Sequence, residues 1–173
     1  EGKARPISVN ALLSQSQQLY ADGLVYINTA QWVLAYAVFS TLCQQKECKS
    51  VAVMYNMALC HYFSKENTKA TSLLSEALTQ VALSSISHQS NTNLPKALLN
   101  HECENYQYRS ALNETAVGLN NNVVKLRIRR LLVDINLELE NWQEIIRLSS
   151  LPDMDKCKNV KEAVAIAQSK ITT

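Results

Sequence analysis

Two helical stripes of apolar side chains, separated by one short polar break, limit more than any other feature how this chain folds. Residues 51–62 carry the first stripe and residues 70–81 the second, each with apolar or small residues at offsets of 0, 3, 4, 7, 8 and 11. Residues 64–68 are polar and supply a turn between them. The pattern predicts two antiparallel helices joined as a hairpin.

Length and composition extend this expectation to the whole chain. At 173 residues with 47% apolar side chains, the chain is long enough to bury one core. Only three Gly and three Pro interrupt it, and runs with strand-like alternation are scarce. We therefore predict one all-α domain of about seven helices.

The charge balance and the hydropathy pattern argue against two classes of partner. The formal net charge is +2, so there is no sequence-wide basic field for binding nucleic acid. The most apolar run, residues 32–43, is shorter than the ~20 residues that a membrane-spanning helix needs. Neither nucleic acid nor a membrane is an expected partner.

The cysteines indicate the cellular compartment, and the first residue bears on the origin of the sequence. The five cysteines are an odd number, and three of them lie in apolar helical stretches. This favours reduced core thiols in a cytoplasmic or nuclear protein over a disulfide framework. The sequence begins at Glu1 rather than Met, which suggests an excised domain or a processed product.

Small residues mark where the two helices of the hairpin cross. Ala58, Ala70 and Ala77 are spaced by 12 and then 7 residues, and the stretch resembles a tetratricopeptide (TPR) repeat. That signature has a small residue late in its first helix, then Ala, an aromatic and Ala in its second, matched here by Ala58, Ala70, Leu74 and Ala77. The first-helix Trp and Leu of the signature are replaced by Met54 and Met57. The resemblance implies a short right-handed α-solenoid of stacked antiparallel hairpins.

The rest of the chain divides around this hairpin. A first helix is predicted over residues 8–22, before Asp22-Gly23, and a very apolar helix, packed on more than one side, follows it. Residues 81–93 lose periodicity and predict a loop, and residues 96–119 predict one bent helix or a helix plus an irregular segment. The single TPR-like domain, 1–173, thus comprises a degenerate repeat (11–42), the best repeat (51–82), an insertion with an irregular helix (83–122), a third hairpin (123–152) and a capping helix (155–172).

Signals of catalysis or metal binding are weak. The three histidines are scattered, and the sequence has no Gly-rich phosphate loop and no Gly-flanked nucleophilic Ser. Cys43, Cys48, His101 and Cys103 supply four zinc ligands on paper, but their spacing does not match common zinc knuckles. We expect no catalytic site, no metal and no cofactor.

The TPR resemblance also implies where a partner binds. In that family the first helix of each repeat lines an inner groove, and Asn56 matches an Asn that chaperone-binding members use to hold a terminal carboxylate. The matching first-repeat positions here are Gln15 and Leu19, where Lys and Asn are wanted, so a carboxylate clamp is not expected. Partner contact is predicted at Tyr55, Asn56, Leu59, Tyr62, Arg127 and Arg130, the two arginines supplying charge for an acidic partner.

Each of these residues also has a structural interpretation. Tyr55 and Tyr62 are equally suited to be core or helix-interface aromatics. The basic cluster at residues 125–130 is explained without a ligand if Arg130 pairs with Asp134 four residues on and the other basic side chains are solvated.

Together these features predict a non-catalytic protein–protein interaction module or scaffold that binds a peptide or partner domain in a multiprotein complex. The alternative is one segment of a longer scaffold, whose apolar surface at residues 32–39 packs on missing repeats or another subunit. An enzyme is a third class, and it requires a site that sequence spacing does not reveal.

Overall fold

A computed structural model describes residues 9–44, 50–87 and 94–172. Within these ranges the chain forms α-helices and short 3₁₀ turns and no strand, so the all-α prediction is confirmed. The helices are α1 (Val9–Asn28), α2 (Trp32–Leu42), α3 (Val51–Phe63), α4 (Asn67–Ser87), α5 (Lys96–Glu104), α6 (Glu114–Leu119), α7 (Asn121–Glu138), α8 (Trp142–Ser149) and α9 (Lys158–Ile171).

Three hairpins, α1–α2, α3–α4 and α7–α8, turn in the same way. Each turn has one non-glycine residue with positive φ: Ala30 at 57°, Lys65 at 63° and Glu140 at 54°. The next amide donates to the carbonyl five residues back, at 2.8 Å in the first hairpin and 2.9 Å in the other two. This left-handed cap satisfies carbonyls that the end of a helix leaves free. The three hairpins therefore share one turn geometry.

The hairpins pack in chain order. Helix α2 contacts α3, α4 contacts α7, and α9 packs on both α7 and α8. Helix α3 is the centre of the core, and every residue from Val51 to Tyr62 is buried. Ala58, Ala70 and Ala77 have no exposed surface, as expected for small residues between closely packed helices.

Helix α1 continues through the Asp22-Gly23 position at which the sequence suggested a break. A Cβ atom on Gly23 would lie 2.9 Å from Val38 Cγ1 and 3.0 Å from the Phe39 ring. The glycine is therefore a helix-contact residue and not a helix terminator, because its missing side chain lets α2 approach α1.

The remaining boundaries include one difference from the sequence predictions and two agreements. Helix α4 extends to Ser87, beyond the predicted start of a loop at Val81, and residues 88–93 of that loop lie outside the described ranges. Residues 96–119 form a helix, a 3₁₀ turn at Gln107–Arg109 and a second helix, which is the second of the two predicted options. The final helix, Lys158–Ile171, lies within the predicted capping segment, 155–172.

Two further expectations are corrected. Helix α2 was expected to be packed on more than one side, yet Val33, Leu34 and Tyr36 are exposed. Cys60, Cys103 and Cys157 are free and buried, as expected for reduced core thiols, whereas Cys43 is disulfide-bonded and departs from that expectation. Among the described helices, none is both long and apolar enough to cross a membrane.

Candidate functional site

The first helices of all three hairpins hold one segment of the chain, residues 102–113, which we call the strap. The strap runs from the end of α5 through the 3₁₀ turn to the residue before α6. Its main chain and side chains bond to α1, α3 and α7. The face formed by these three helices therefore already binds a segment of peptide, half of it outside the helices and the 3₁₀ turn, and that segment belongs to the same chain.

Helix α3 binds the strap through its main-chain atoms. Asn56 Nδ2 donates to the carbonyl of Leu112 at 2.8 Å, and Asn56 Oδ1 accepts from the Leu112 amide at 2.8 Å. The Tyr55 hydroxyl donates to the carbonyl of Tyr108. Both side chains are fully buried, and burial raises the pKa of Tyr55 so that its hydroxyl stays a donor.

Helix α1 holds the same end of the strap. The Tyr20 hydroxyl donates to the Leu112 carbonyl at 3.0 Å, and Asn28 Oδ1 accepts from the Ala111 amide at 2.9 Å. A neutral Tyr20 suits this role, and burial raises its pKa. Two hairpins therefore meet on one peptide unit of the strap.

Helix α7 binds the beginning of the strap with its arginines. Arg127 forms a bidentate ion pair with Glu102, with Nε and Nη2 to the two carboxylate oxygens at 2.6 and 2.9 Å. Arg130 Nη1 donates to the carbonyl of Glu102 and to that of Asn105, the latter at 2.9 Å. Planar guanidinium groups suit such paired acceptors.

A buried cluster around Asp134 completes the contact of α7 with the strap. Asp134 Oδ2 accepts from the Tyr108 hydroxyl at 2.7 Å and from Arg109 Nε and Nη2 at 3.0 and 2.7 Å. Asn159 of α9 donates to its other carboxylate oxygen at 2.9 Å. Burial and then the Asp134 carboxylate raise the pKa of Tyr108, whereas the pKa of Arg109 rises through Asp134 although burial opposes it. The strap is thus fixed by ionic bonds as well as by backbone bonds.

The predicted partner-binding residues lie inside the molecule. Tyr55, Asn56, Leu59 and Arg130 have no exposed surface, and Tyr62 is 7% exposed. The Arg127 side chain is 18% exposed and forms the ion pair with Glu102. The structure brings Tyr55, Asn56 and both arginines together on the strap, with Leu59 in the core. In this arrangement they contact the chain itself, and a partner reaches them only if the strap leaves.

The structural interpretation of the basic cluster is corrected in one respect. Arg130 was expected to pair with Asp134, but Asp134 pairs with Arg109 of the strap. Arg130 instead bonds to main-chain carbonyls and to Asn159 Oδ1 at 2.8 Å, and it stacks over the Tyr108 ring at 4.1 Å. A same-helix pair was displaced because the strap offers a closer counterion to Asp134.

An apolar surface on α2 is the most exposed of the regions that the sequence singled out. Val33 is 83% exposed, Leu34 45% and Tyr36 42%. Trp32 stacks on Phe63 of α3 with ring centroids 3.9 Å apart, beside this surface. We call Val33, Leu34, Tyr36 and Ala37 the α2 surface.

Within the described part of the chain, no three His, Cys, Asp or Glu side chains are grouped so that they could hold a metal ion. Most of the shifted pKa values there belong to buried tyrosines and thiols and to ion-paired groups such as Glu66 with Lys69 and Glu144 with Arg147, and burial beside Arg147 lowers the pKa of Arg129. Burial and ion pairing in the fold account for these shifts.

Comparison with known proteins adds no relative. No protein-family model, no curated protein and no solved structure gives a significant match to this chain.

Proposed function

We propose that the chain is a non-catalytic protein–protein interaction module, built as a short right-handed solenoid of the TPR type, and that its partner binds the α2 surface. The observation that carries this proposal is the exposure of Val33, Leu34 and Tyr36 on one helix. Clustered exposed apolar side chains are typical of binding surfaces, and aromatic side chains often dominate their energetics. The stacked Trp32 and Phe63 rings give this surface a rigid edge.

The solenoid part of the proposal is supported by the hairpins. They share one left-handed turn and contact each other in chain order. Trp32 and Trp142 each begin a second helix, two residues after the left-handed residue of their turn. Such correspondence suits a repeat protein in which each unit packs on its neighbours.

The strap occupies the face formed by the first helices α1, α3 and α7, so the proposed partner contact lies outside this groove. A partner there must replace buried hydrogen bonds to Leu112 and the ion pairs of Glu102 and Asp134. Losing buried partners is costly, because each unsatisfied buried group loses ~1–3 kcal/mol. The α2 surface requires no such exchange.

The second candidate function is a segment of a longer scaffold, and the α2 surface supports it as well. In that case Val33 packs on further repeats or another subunit in the complete assembly. A chain with native flanking sequence then protects the α2 surface without any added protein, whereas an interaction module leaves it exposed until a partner binds.

The test is a Val33→Asp/Tyr36→Ser double variant, compared with an Ile166→Asp control on α9, where Ile166 is 42% exposed. Both variants should melt close to the wild type, since exposed substitutions rarely change stability by more than ~0.5 kcal/mol. Partners that copurify with the wild type should be lost from the α2 variant and kept by the control. Full retention by the α2 variant would contradict this interface.

A further inference from the structure

A cleft lies on the other side of α7 from the strap. It has a volume of about 560 Å³ and lies between α4, α7 and α8. Among its lining residues are Lys125 and Arg129, four positions apart on α7, together with Arg147 of α8. The basic cluster of α7 is thus divided: Arg127 and Arg130 bind the strap, whereas Lys125 and Arg129 face this cleft.

Arg129 is a half-buried cation, and no ion pair or side-chain hydrogen bond joins it to another described residue. The acidic residue in the same lining, Glu144, pairs with Arg147 instead. Burial, and then the nearby Arg147 guanidinium, lower the pKa of Arg129. Burying a guanidinium beside a second one is unfavourable unless an anion compensates both.

Hydrogen-bond donors and apolar walls complete the cleft. Thr71 on α4 lines it, and its hydroxyl is buried and has no hydrogen-bond partner among the described residues. Ser75 lies one turn further along the same helix. Leu78, Leu132 and Leu148 give the cleft an apolar side. The cleft therefore offers both oxyanion donors and room for an attached apolar group.

The charge of the lining selects among oxyanions. Lys125, Arg129 and Arg147 are cationic and Glu144, which pairs with Arg147 at 2.6 Å, is anionic, so the lining carries two net positive charges. A phosphate monoester carries about −1.5 to −2 at pH 7, and a single carboxylate carries −1. We propose that this cleft binds a phosphate monoester, with Arg129 and Thr71 bonding the phosphate oxygens and the ester group lying against the leucines.

The experiment uses phenyl phosphate as the probe on the full chain, with inorganic phosphate and phenylacetate as comparisons at equal ionic strength. Phenyl phosphate at millimolar concentration should raise the melting temperature, since a ligand of the folded state stabilises it, and should shift the Arg129 Nε resonance. Inorganic phosphate and phenylacetate should each bind at least fivefold more weakly than phenyl phosphate. Inorganic phosphate lacks the apolar group, and phenylacetate carries about half the negative charge.

Two variants locate the effect. Arg129→Gln should weaken phenyl phosphate binding by at least tenfold, whereas Lys161→Gln, which removes an exposed charge on α9, should leave it unchanged. Ser75→Glu places a carboxylate in the cleft. This variant should have a raised melting temperature without any ligand, and phenyl phosphate should not raise it further. It therefore tests phosphate binding in the cleft even if Arg129→Gln does not fold.

Three outcomes would overturn the proposal. The first is no binding of phenyl phosphate by the wild type. The second is equal binding by the wild type, Arg129→Gln and Ser75→Glu, which identifies a general salt effect. The third is equal affinity for inorganic phosphate and phenyl phosphate, which removes the ester from the assignment.

Discussion

At the scale of single residues, Asn56 shows how one amide side chain can replace secondary structure. It satisfies both the N–H and the C=O of Leu112, a residue 56 positions away in a segment without regular structure. Buried backbone polar groups must be paired, and outside helices and sheets that pairing falls to side chains. Asn56 therefore anchors the strap to the core.

Asn56→Ala should lower the free energy of unfolding by about 1–3 kcal/mol. The Leu112 amide loses its acceptor, whereas its carbonyl keeps the Tyr20 hydroxyl at 3.0 Å. Urea unfolding followed by circular dichroism measures the change. Asn122→Ala, at an exposed position in the first turn of α7, is the matched control and should change stability by less than ~0.5 kcal/mol. Equal effects of the two substitutions would contradict the anchoring role.

Cys60 makes stability depend on alkaline pH. Burial raises the pKa of its thiol to about 12, against about 8.5 in an unfolded chain. Between these values the unfolded state binds fewer protons than the native state, so stability must fall as pH rises. Cys60→Ala should run parallel to the wild type from about pH 6 to 8 and decline less steeply above pH 9, which urea titrations at each pH measure. Identical alkaline slopes would exclude Cys60 as a source of the decline.

The contacts of the predicted partner-binding residues were not predictable from the sequence. Tyr55 and Asn56 were predicted to contact a partner, which stays a prediction, and in the structure both bond to the strap of the same chain. Tyr55 contacts Tyr108, 53 residues away, and Asn56 contacts Leu112, 56 residues away. Local periodicity cannot encode contacts at such separations, so the sequence did not show that the chain's own segment binds there. Tyr108 and Leu112 lie where the helical pattern is broken, so nothing in the local sequence identified them as ligands of α3.

At the scale of helices, the two described glycines make a matched pair. A Cβ on Gly23 would meet Val38 and the fully buried Phe39 at 2.9 and 3.0 Å, whereas one on Gly118 in α6 meets nothing within 4 Å. Replacing glycine by alanine inside a helix is favourable by ~1 kcal/mol, and this gain applies at both sites. Only at Gly23 does overpacking, ~1–3 kcal/mol, oppose that gain.

Gly118→Ala should therefore stabilise the protein by up to ~1 kcal/mol, and Gly23→Ala should destabilise it by ~1 kcal/mol. Differential scanning calorimetry of the two variants beside the wild type measures both signs. Stabilisation by both substitutions would show that α1 and α2 are less closely packed than the contact at Val38 indicates.

The alanines of the best-defined hairpin give a second test of helix packing. Ala70 has no exposed surface, and Ala70→Leu should lower stability by ~1–3 kcal/mol through overpacking. Ala82→Leu, at an exposed position on the same helix, is the control and should be close to neutral. A melting temperature unchanged by Ala70→Leu would show that the small residues are incidental.

Helix existence followed from periodicity, whereas helix boundaries were assigned from local composition. The apolar stripes predicted α3, α7 and α9. At Gly23 packing against α2 overrode the expected break, and the adjacent helix explains why a poor helix former is retained inside α1. Beyond Val81 helix α4 continues with Ala82, Leu83 and Ser84 exposed, so contacts with other helices do not explain that extension.

At the scale of the whole molecule, the strap connects elements that are far apart in sequence. It bonds to Tyr20 in α1, to Asn56 in α3 and to Arg127 and Asp134 in α7, so its release would loosen all three hairpins together. Such a segment is expected to open only with the cooperative unit that it joins. This distinguishes the strap from an ordinary surface loop, whose opening costs little.

Native-state hydrogen exchange therefore decides whether the first-helix face can receive a partner. The Leu112 amide is buried and bonded to Asn56 Oδ1 at 2.8 Å, so it should exchange with a free energy close to that of global unfolding, as slowly as amides in α3. The Leu119 amide, in an exposed turn at the end of α6, is the internal reference and should exchange quickly. If Leu112 instead exchanges as fast as Leu119, the strap opens at little cost, the face is accessible to a partner peptide, and the groove becomes a better interface than the α2 surface.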